Sequence, residues 1–220
     1  MVDAVYYYPP IHQAYFYSGL RYARIKFTPG TSQEEITYGP RRIVEHWPSL
    51  ASIGFGRVSA ILPIDGKPEE AYFFSGAHVA HIKFDYESYT DSVVGGPWKI
   101  SDKFRPLARP EFSTIDAAIP VPGHPGQAYF YAGTNYARVD IVHGTSIVAS
   151  REITANWPGL KKAGFDSVDA AFLQPGSNDG VAYFFKGDKY VKIKVVAGEP
   201  DEITYGPETI ISQWKTLEWI

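Results

Sequence analysis

Apolar and polar residues alternate along a short segment near the start of the chain. Residues 22–27 read YARIKF, which is typical of a β-strand with one buried face. The preceding residues 14–19 read AYFYSG, an aromatic run of strand formers that ends at Gly19. Two such runs joined through a glycine-containing turn predict a β-hairpin.

This hairpin motif occurs four times. Residues 14–27 read AYFYSGLRYARIKF, residues 71–84 AYFFSGAHVAHIKF, residues 128–141 AYFYAGTNYARVDI and residues 182–195 AYFFKGDKYVKIKV. The starts lie 57, 57 and 54 residues apart, and a quarter of the 220 residues is 55. The repeat therefore fills the chain and predicts one domain, residues 1–220, with units at approximately 1–52, 53–109, 110–162 and 163–220.

Each hairpin is flanked by two further signatures. Before it stands a run of small residues, VDAV at 2–5 in the first unit, which predicts an inner strand. After it stands an outer strand, ITYGP, followed by a short helix that we expect to begin at Pro40 and to stop at Pro48. The third unit has Ser150-Arg151-Glu152 where the others have Gly-Pro. An aromatic residue ends this segment in every unit, and we expect it to pack as a wedge between neighbouring units: Trp47, Phe104, Trp157 and Trp214.

Four strands per unit and four units favour an all-β, four-bladed β-propeller. Each blade would be four antiparallel strands with a short terminal helix. The blades would have to stack to bury their apolar faces, and radial closure leaves only short, protected edges. The small residues of the inner strands fit the crowded propeller axis. Period-2 patterning disfavours helical and leucine-rich solenoids, and the WD40 and kelch signatures are absent.

Composition excludes several classes of protein. With 21 Lys and Arg against 24 Asp and Glu, the net charge of −3 argues against a nucleic-acid binder. The absence of cysteine excludes disulfides and thiolate metal sites. No apolar run approaches the roughly 18 residues of a membrane span, and neither a signal sequence nor a glycosylation sequon is visible. We therefore expect a cytosolic protein with no nucleic-acid or membrane partner.

The repeated DAA-type strand, the AYFF-G-x-x-Y hairpin and the GP-x-x-I-x-x-x-W segment resemble hemopexin repeats. The cysteine-free, tyrosine-rich, single-domain form is similar to the legume seed albumin-2 family, and the resemblance covers the whole chain. It implies a central channel with stacked ions (calcium, with sodium and chloride), binding of polyamines, chiefly spermine, and haem affinity. It also implies a homodimer in the cytosol of seed cells. Hemopexin domains that are secreted join their first and last blades by a disulfide, so here we expect this seam to be the weakest.

The resemblance also implies two rings of axial ligands, in which backbone carbonyls bind the ion. The first ring is Asp3, Ser59, Asp116 and Asp169, and the second, two residues further on, is Val5, Ile61, Ala118 and Ala171. Hard cations such as Ca²⁺ prefer oxygen ligands, so Ser59 would serve as well as Asp if carbonyls bind the ion. The alternative is that the Asp side chains only cap the inner strands through local backbone hydrogen bonds.

Tyr6 and Tyr7 follow the first inner strand and are candidates for spermine contacts at a channel mouth, through cation–π attraction. Ordinary blade packing is the alternative. No axial haem ligand is singled out among the six histidines, and His78 and His81 should point to opposite faces of a strand. The histidines are His12, His46, His78, His81, His124 and His143.

Signatures of catalysis are missing, since the sequence contains neither G-x-S-x-G, H-E-x-x-H nor a Walker loop. The carboxylate pairs Glu34-Glu35 and Glu69-Glu70 are interpreted as solvated turns. The sequence therefore favours a non-catalytic seed albumin that binds a polyamine and haem. A carbohydrate-binding, hemagglutinating lectin and a nitrogen-storage protein remain alternatives.

Overall fold

The computed structural model describes residues 1–31, 33–177 and 179–220, and within them the chain forms four antiparallel four-stranded sheets. In every sheet the strands follow one another in chain order. The first sheet is β1 (Ala4–Tyr8), β2 (Gln13–Ser18), β3 (Arg21–Phe27) and β4 (Glu34–Arg42), and the second is β5 (Ala60–Ile64), β6 (Lys67–Ser75), β7 (His78–Asp85) and β8 (Thr90–Lys99). The third is β9 (Ala117–Pro120), β10 (Gln127–Ala132), β11 (Asn135–Asp140) and β12 (Thr145–Glu152), and the fourth is β13 (Ala170–Leu173), β14 (Val181–Lys186), β15 (Lys189–Lys194) and β16 (Glu202–Thr209).

Short helical turns follow each sheet, and one further turn lies between β1 and β2; we call a sheet with its turns a blade. The α-helical turns are α1 (Ile43–His46), α2 (Pro48–Ser52), α3 (Ile100–Lys103), α4 (Ile153–Asn156), α5 (Pro158–Lys162) and α6 (Ile210–Gln213). The 3₁₀ turns are Pro9–Ile11, Arg105–Leu107, Pro110–Phe112 and Lys215–Leu217. None of the helices in the described residues has the length and apolar character needed to cross a membrane.

The second strand of each blade is buried on both faces, which explains its continuous aromatic sequence. In β2, Phe16 packs into the core shared with blade four, whereas its neighbour Tyr17 packs into the core shared with blade two. Successive side chains of a strand point to opposite faces. One strand can therefore contribute side chains to two blade interfaces. Because neither of its faces meets solvent, polar and apolar residues do not alternate along it.

The four blades close into a ring around an axis. The inner strands β1, β5, β9 and β13 each contact the inner strands on both sides, including β1 with β13. Four hydrophobic cores lie between neighbouring blades, one at each seam. The predicted all-β, four-bladed propeller is confirmed.

The aromatic wedges are confirmed at all four seams. Trp214 is 5% exposed, and its ring lies 5.9 Å from Tyr183 in its own blade but 4.8 Å from Phe27 and 5.3 Å from Phe16 in blade one. The equivalent residues are as deeply buried, each between its own blade and the next: Trp47, Phe104 and Trp157.

The expected start of the terminal helix was wrong. Pro40 lies inside β4, and α1 begins three residues later, at Ile43. β4 is the outer edge of its sheet, where a missing N–H can face solvent without loss of a ladder bond. Pro48 does not merely stop this helix either, because it is the first residue of α2. In the third blade β12 continues to Glu152 without a proline, so the helical turn does not depend on Gly-Pro.

Candidate functional site

The four positions of the first predicted ring meet at one end of the axis. Asp3, Ser59, Asp116 and Asp169 all line a single cavity of about 260 Å³, together with Arg57. Each of them directly precedes the inner strand of its blade. Ring closure therefore brings together four residues that are more than 50 positions apart in sequence.

Hydrogen bonds fix the three carboxylates. In each case Oδ2 accepts the N–H of the glycine in the turn between the second and third strands: Asp3 from Gly19 at 2.7 Å, Asp116 from Gly133 at 2.7 Å and Asp169 from Gly187 at 2.6 Å. The side chains therefore have a structural role, but it differs from the local strand cap expected as the alternative, because each bond reaches a glycine 16 to 18 residues further along the chain. It uses side-chain oxygens and leaves the backbone carbonyls of these residues to other partners. Ser59 instead donates its hydroxyl to the Ile115 carbonyl, at 2.7 Å.

Two carboxylates of this cavity, those of Asp116 and Asp169, repel one another. Burial raises the pKa of Asp116, the Gly133 N–H lowers it, and the negative charge of Asp169 raises it again. Arg57 brings one positive charge to the same cavity. A cation bound here would relieve the repulsion between the carboxylates.

The second predicted ring lines a different and more apolar cavity. Val5, Ile61, Ala118 and Ala171 are each at most 4% exposed and face a space of about 340 Å³ further along the inner strands. Alanine separates the two rings in every blade, at Ala4, Ala60, Ala117 and Ala170. The axis therefore has an acidic end and an apolar end.

Tyr6 and Tyr7 both line the apolar cavity, but their side chains diverge. Tyr6 is 2% exposed, packs into the core between blades one and two, and donates its hydroxyl to the Pro68 carbonyl at 2.5 Å. Burial raises its pKa. Tyr7 packs toward blade four, with its hydroxyl 3.1 Å from His12 Nδ1. Both tyrosines thus serve blade packing and also reach the channel mouth.

In the part of the chain that the structure describes, histidine and carboxylate side chains do not gather into a metal site. Within the described ranges, no group of three or more His, Cys, Asp or Glu side chains is placed to hold an ion. His81 lies 2.8 Å from the Glu70 carboxylate, so Glu70 belongs to a partly buried pair in β6 and β7 rather than to a solvated turn. An ion on the axis would need backbone carbonyls among its ligands.

Three clefts at the outer rim of the blade seams were not foreseen from the sequence. Each of these rim clefts is lined by two tyrosines and a basic residue of one blade, by its wedge tryptophan, and by a carboxylate from the next blade. They lie between blades one and two (Tyr15, Tyr22, Arg24, Trp47, Asp91), three and four (Tyr129, Tyr136, Arg138, Trp157, Asp201), and four and one (Tyr183, Tyr190, Lys192, Trp214, Glu34). The basic residue occupies the same position of the hairpin motif in all three blades, and this recurrence is the sequence feature from which the clefts could have been predicted.

The carboxylate of each rim cleft ties one blade to the next. Asp91 accepts the Ser49 N–H at 2.7 Å, and Asp201 accepts the Leu160 N–H at 3.2 Å. Glu34 accepts both the backbone N–H and the hydroxyl of Thr216. The interpretation of Glu34 as a solvated turn residue was therefore wrong, because the side chain crosses a seam that is invisible in the sequence.

Comparison with known proteins finds relatives that match over almost the whole chain. No protein-family model matches. The chain is 31% identical over 212 residues to albumin-2 of Lathyrus sativus, covering 94% of this chain and 91% of that protein. Albumin-2 of Pisum sativum is 30% identical over 215 residues, with coverage of 95% and 91%.

Solved structures of seed proteins superpose along the entire chain. A plant lectin with two metal binding sites from Cicer arietinum gives a TM-score of 0.91 at 27% identity, covering 100% of this chain and 98% of that one. A Cicer arietinum albumin showing hemagglutination gives 0.91 at 26%, with the same coverage. A hemopexin-fold protein from cow pea gives 0.89 at 27%, covering 100% and 97%. The chain therefore belongs to the albumin-2 family of legume seed proteins, with the hemopexin-type four-bladed fold.

Proposed function

We propose that this seed albumin is a non-catalytic binding protein that takes small cations into its axial channel, with spermine as the organic ligand and Ca²⁺ as the ion. The observation that carries the proposal is the meeting of Asp3, Asp116 and Asp169 around one cavity. Burial raises the pKa of Asp116 and the charge of Asp169 adds to that effect, so a bound cation would stabilise the ionised carboxylates, which have only Arg57 as a positive charge in the cavity. The lectin with two metal binding sites, which has the same fold, supports an ion in this architecture.

Spermine fits both ends of the axis. An ammonium group has only donors, so it suits the oxygen-rich acidic end. The methylene chain between its ammonium groups suits the apolar walls of Val5, Ile61 and their equivalents. The Tyr6 and Tyr7 rings at the far mouth can add cation–π attraction of about 0.5–2 kcal/mol each. We therefore expect end-on binding, with spermine preferred over spermidine and putrescine.

Titration calorimetry at low and at near-molar salt tests this proposal. Binding in a channel should keep most of its affinity at high salt, whereas binding to an acidic surface should lose it. Asp116→Asn combined with Asp169→Asn should weaken spermine binding, because two of the three ring charges are lost. Glu87→Gln, at an exposed position outside the channel, is the control and should bind as the native protein does. Spermine binding that is lost at high salt, or that is unchanged in the double variant Asp116→Asn and Asp169→Asn, would contradict binding in the axial channel.

Carbohydrate binding is a second candidate, supported by the hemagglutinating relative and by the rim cleft between blades one and two. There Arg24 is only 7% exposed and lies 4.7 Å from the Tyr86 ring centroid. Tyr89 is 70% exposed at the edge of the cleft, with a left-handed φ of 52° that is uncommon for a bulky residue. Aromatic walls beside mixed donors and acceptors suit a polyhydroxylated ring.

Inhibition of red-cell agglutination by free sugars tests the second candidate. Tyr89→Gly removes an exposed ring and suits the left-handed backbone, so it should reduce agglutination without loss of stability. Val142→Gly, at the exposed tip of the equivalent turn in blade three, is the control. If neither polyamine nor sugar binds, nitrogen storage is the function left. Haem binding, a homodimer and a cytosolic location in seed cells remain predictions.

A further inference from the structure

We propose that the rim cleft between blades three and four binds an anionic ligand, a phosphate ester of a ring-shaped polyol. This site is separate from the axial channel and has the opposite charge preference. It is lined by Arg138 of β11, Arg151 of β12 and Lys161 of α5, around a space of about 590 Å³.

Among the described residues the three cations have no carboxylate within ion-pair distance. In the described part of the chain, no Asp or Glu oxygen lies within 4.0 Å of the charged nitrogens of Arg138, Arg151 or Lys161. Arg138 instead donates its Nε–H to the neutral amide oxygen of Gln127, at 2.9 Å. The three positive charges outnumber the two carboxylates that also line the cleft, Glu199 and Asp201, so a net positive charge is left for a ligand to neutralise.

Blade two shows that the fold can supply a counter-charge at this position. There His81 replaces Arg138 and Glu70 replaces Gln127, and the two side chains form a close pair at 2.8 Å. Blade three therefore combines an open cleft with an uncompensated cation.

Blade four gives the converse arrangement. Arg151 pairs with Tyr136 in the sheet register, and the equivalent partner of Tyr190 is Glu208. Burial raises the pKa of both tyrosines, but Arg151 lowers the pKa of Tyr136, whereas Glu208 is among the charges that raise the pKa of Tyr190 further. Four residues after the wedge tryptophan, Lys161 likewise corresponds to Glu218. Two equivalent positions of the blade are thus basic in blade three, at Arg151 and Lys161, and acidic in blade four, at Glu208 and Glu218.

The floor of the cleft is aromatic and suits a ring. Tyr129 and Tyr136 lie with their ring centroids 5.1 and 5.6 Å from that of Trp157. Arg138 lies over Tyr129 at 5.9 Å from its centroid. A ring-shaped body can rest on this surface while its charged group reaches the guanidinium groups at the edge.

A phosphate ester matches both walls of the cleft. The phosphate carries about two negative charges and three acceptor oxygens, which fit paired arginine forks and a lysine. On the opposite wall the exposed Glu199 presents a carboxylate that can accept hydroxyl donors. Hydroxyls of a polyol would satisfy that wall, which inorganic phosphate alone would not.

Calorimetry with glucose 6-phosphate, glucose and inorganic phosphate, each at physiological ionic strength, tests the proposal. We expect the ester to bind at least about tenfold more tightly than either of the other two compounds, since each lacks one half of the contacts. The absence of ester binding, or ester binding no tighter than that of either glucose or phosphate, would overturn the proposal. Spermine should not compete with the ester.

Charge reversal locates the site. Arg151→Glu combined with Lys161→Glu installs the residues that blade four already carries at equivalent positions, so the fold should tolerate them. We expect affinity for glucose 6-phosphate to fall at least about tenfold, with the melting temperature unchanged. The control is Glu208→Gln combined with Glu218→Gln, at the equivalent positions of blade four, and it should leave the affinity for glucose 6-phosphate unaltered. If the reversed variant is unstable, Arg151→Gln with Lys161→Gln provides the same comparison, and undiminished binding in either folded variant would refute the site.

Discussion

Glu34 in blade one and Thr216 in blade four are 182 positions apart in sequence, yet they form a two-point contact. The Thr216 N–H donates to one carboxylate oxygen of Glu34 at 3.0 Å, and its hydroxyl donates to the other at 2.9 Å. The chain has no cysteine. This contact therefore joins the first and last blades at the seam where secreted hemopexin domains usually have a disulfide.

Removing the carboxylate of Glu34 should destabilise the ring at that seam. Glu34→Ala leaves the partly buried Thr216 donors without their acceptor, and we expect the free energy of unfolding to fall by about 1–3 kcal/mol. Urea denaturation measures this loss. Glu35→Ala, at the exposed neighbouring residue, is the matched control and should cost less than about 0.5 kcal/mol. Equal losses in the two variants would argue against a specific contact.

Truncation of the wedge at the same seam should cost more. Trp214→Ala deletes a side chain that packs against both Phe16 and Phe27, so a cavity forms between blades four and one. We expect a loss of roughly 3–5 kcal/mol in the free energy of unfolding. A loss below about 1 kcal/mol would be inconsistent with a buried wedge.

Alanine at Gly39 should be poorly tolerated because of a specific clash. A Cβ there would lie 2.7 Å from the Tyr22 carbonyl oxygen, and the residue has a φ of +86°. Gly30 has a similar φ of +80° but open space around the added carbon. Gly30→Ala should therefore report backbone strain alone, of about 1 kcal/mol, and Gly39→Ala should cost clearly more in thermal denaturation. The same cost in both variants would indicate that the backbone shifts to relieve the clash.

Asp201 should make stability depend on pH. Burial raises the pKa of its carboxyl above the ordinary value, and the N–H groups of Gly159 and Leu160 offset part of that effect. Because the folded chain then holds the proton more tightly than the unfolded chain, this group favours folding increasingly as pH falls through the range between the two pKa values. The stability of the native protein relative to Asp201→Asn should therefore improve from pH 7 to pH 4 in urea denaturation. A difference that is constant with pH would contradict the raised pKa.

Calcium should stabilise the native protein by mass action if the axis binds it. At a concentration one hundred times its Kd, an ion that binds only the folded state adds about 2.7 kcal/mol. The melting temperature should fall when a chelator is added and recover with calcium. Ser59→Ala keeps the backbone carbonyl and should preserve the calcium effect, provided that carbonyls are the ligands. A melting temperature that changes neither with chelator nor with calcium would contradict a calcium site on the axis.

The sequence by itself determined the repeat, the number of blades, the strand order and the wedge residues. These features depend on local spacing and on period-2 patterning, which act within about 55 residues. It also placed Asp3, Ser59, Asp116 and Asp169 at one position of the repeat, so that fourfold closure alone was enough to bring them together.

Only the tertiary structure decided which side chains meet across the seams. Glu34 and Glu70 have similar surroundings in sequence, yet one binds Thr216 of another blade and the other pairs with His81 of its own sheet. The start of α1 at Ile43, rather than at Pro40, depends on β4 being an edge strand. The rim clefts likewise exist because a basic residue of one blade faces the segment between the third and fourth strands of the next blade. The packing of neighbouring blades, not the repeat itself, creates those contacts.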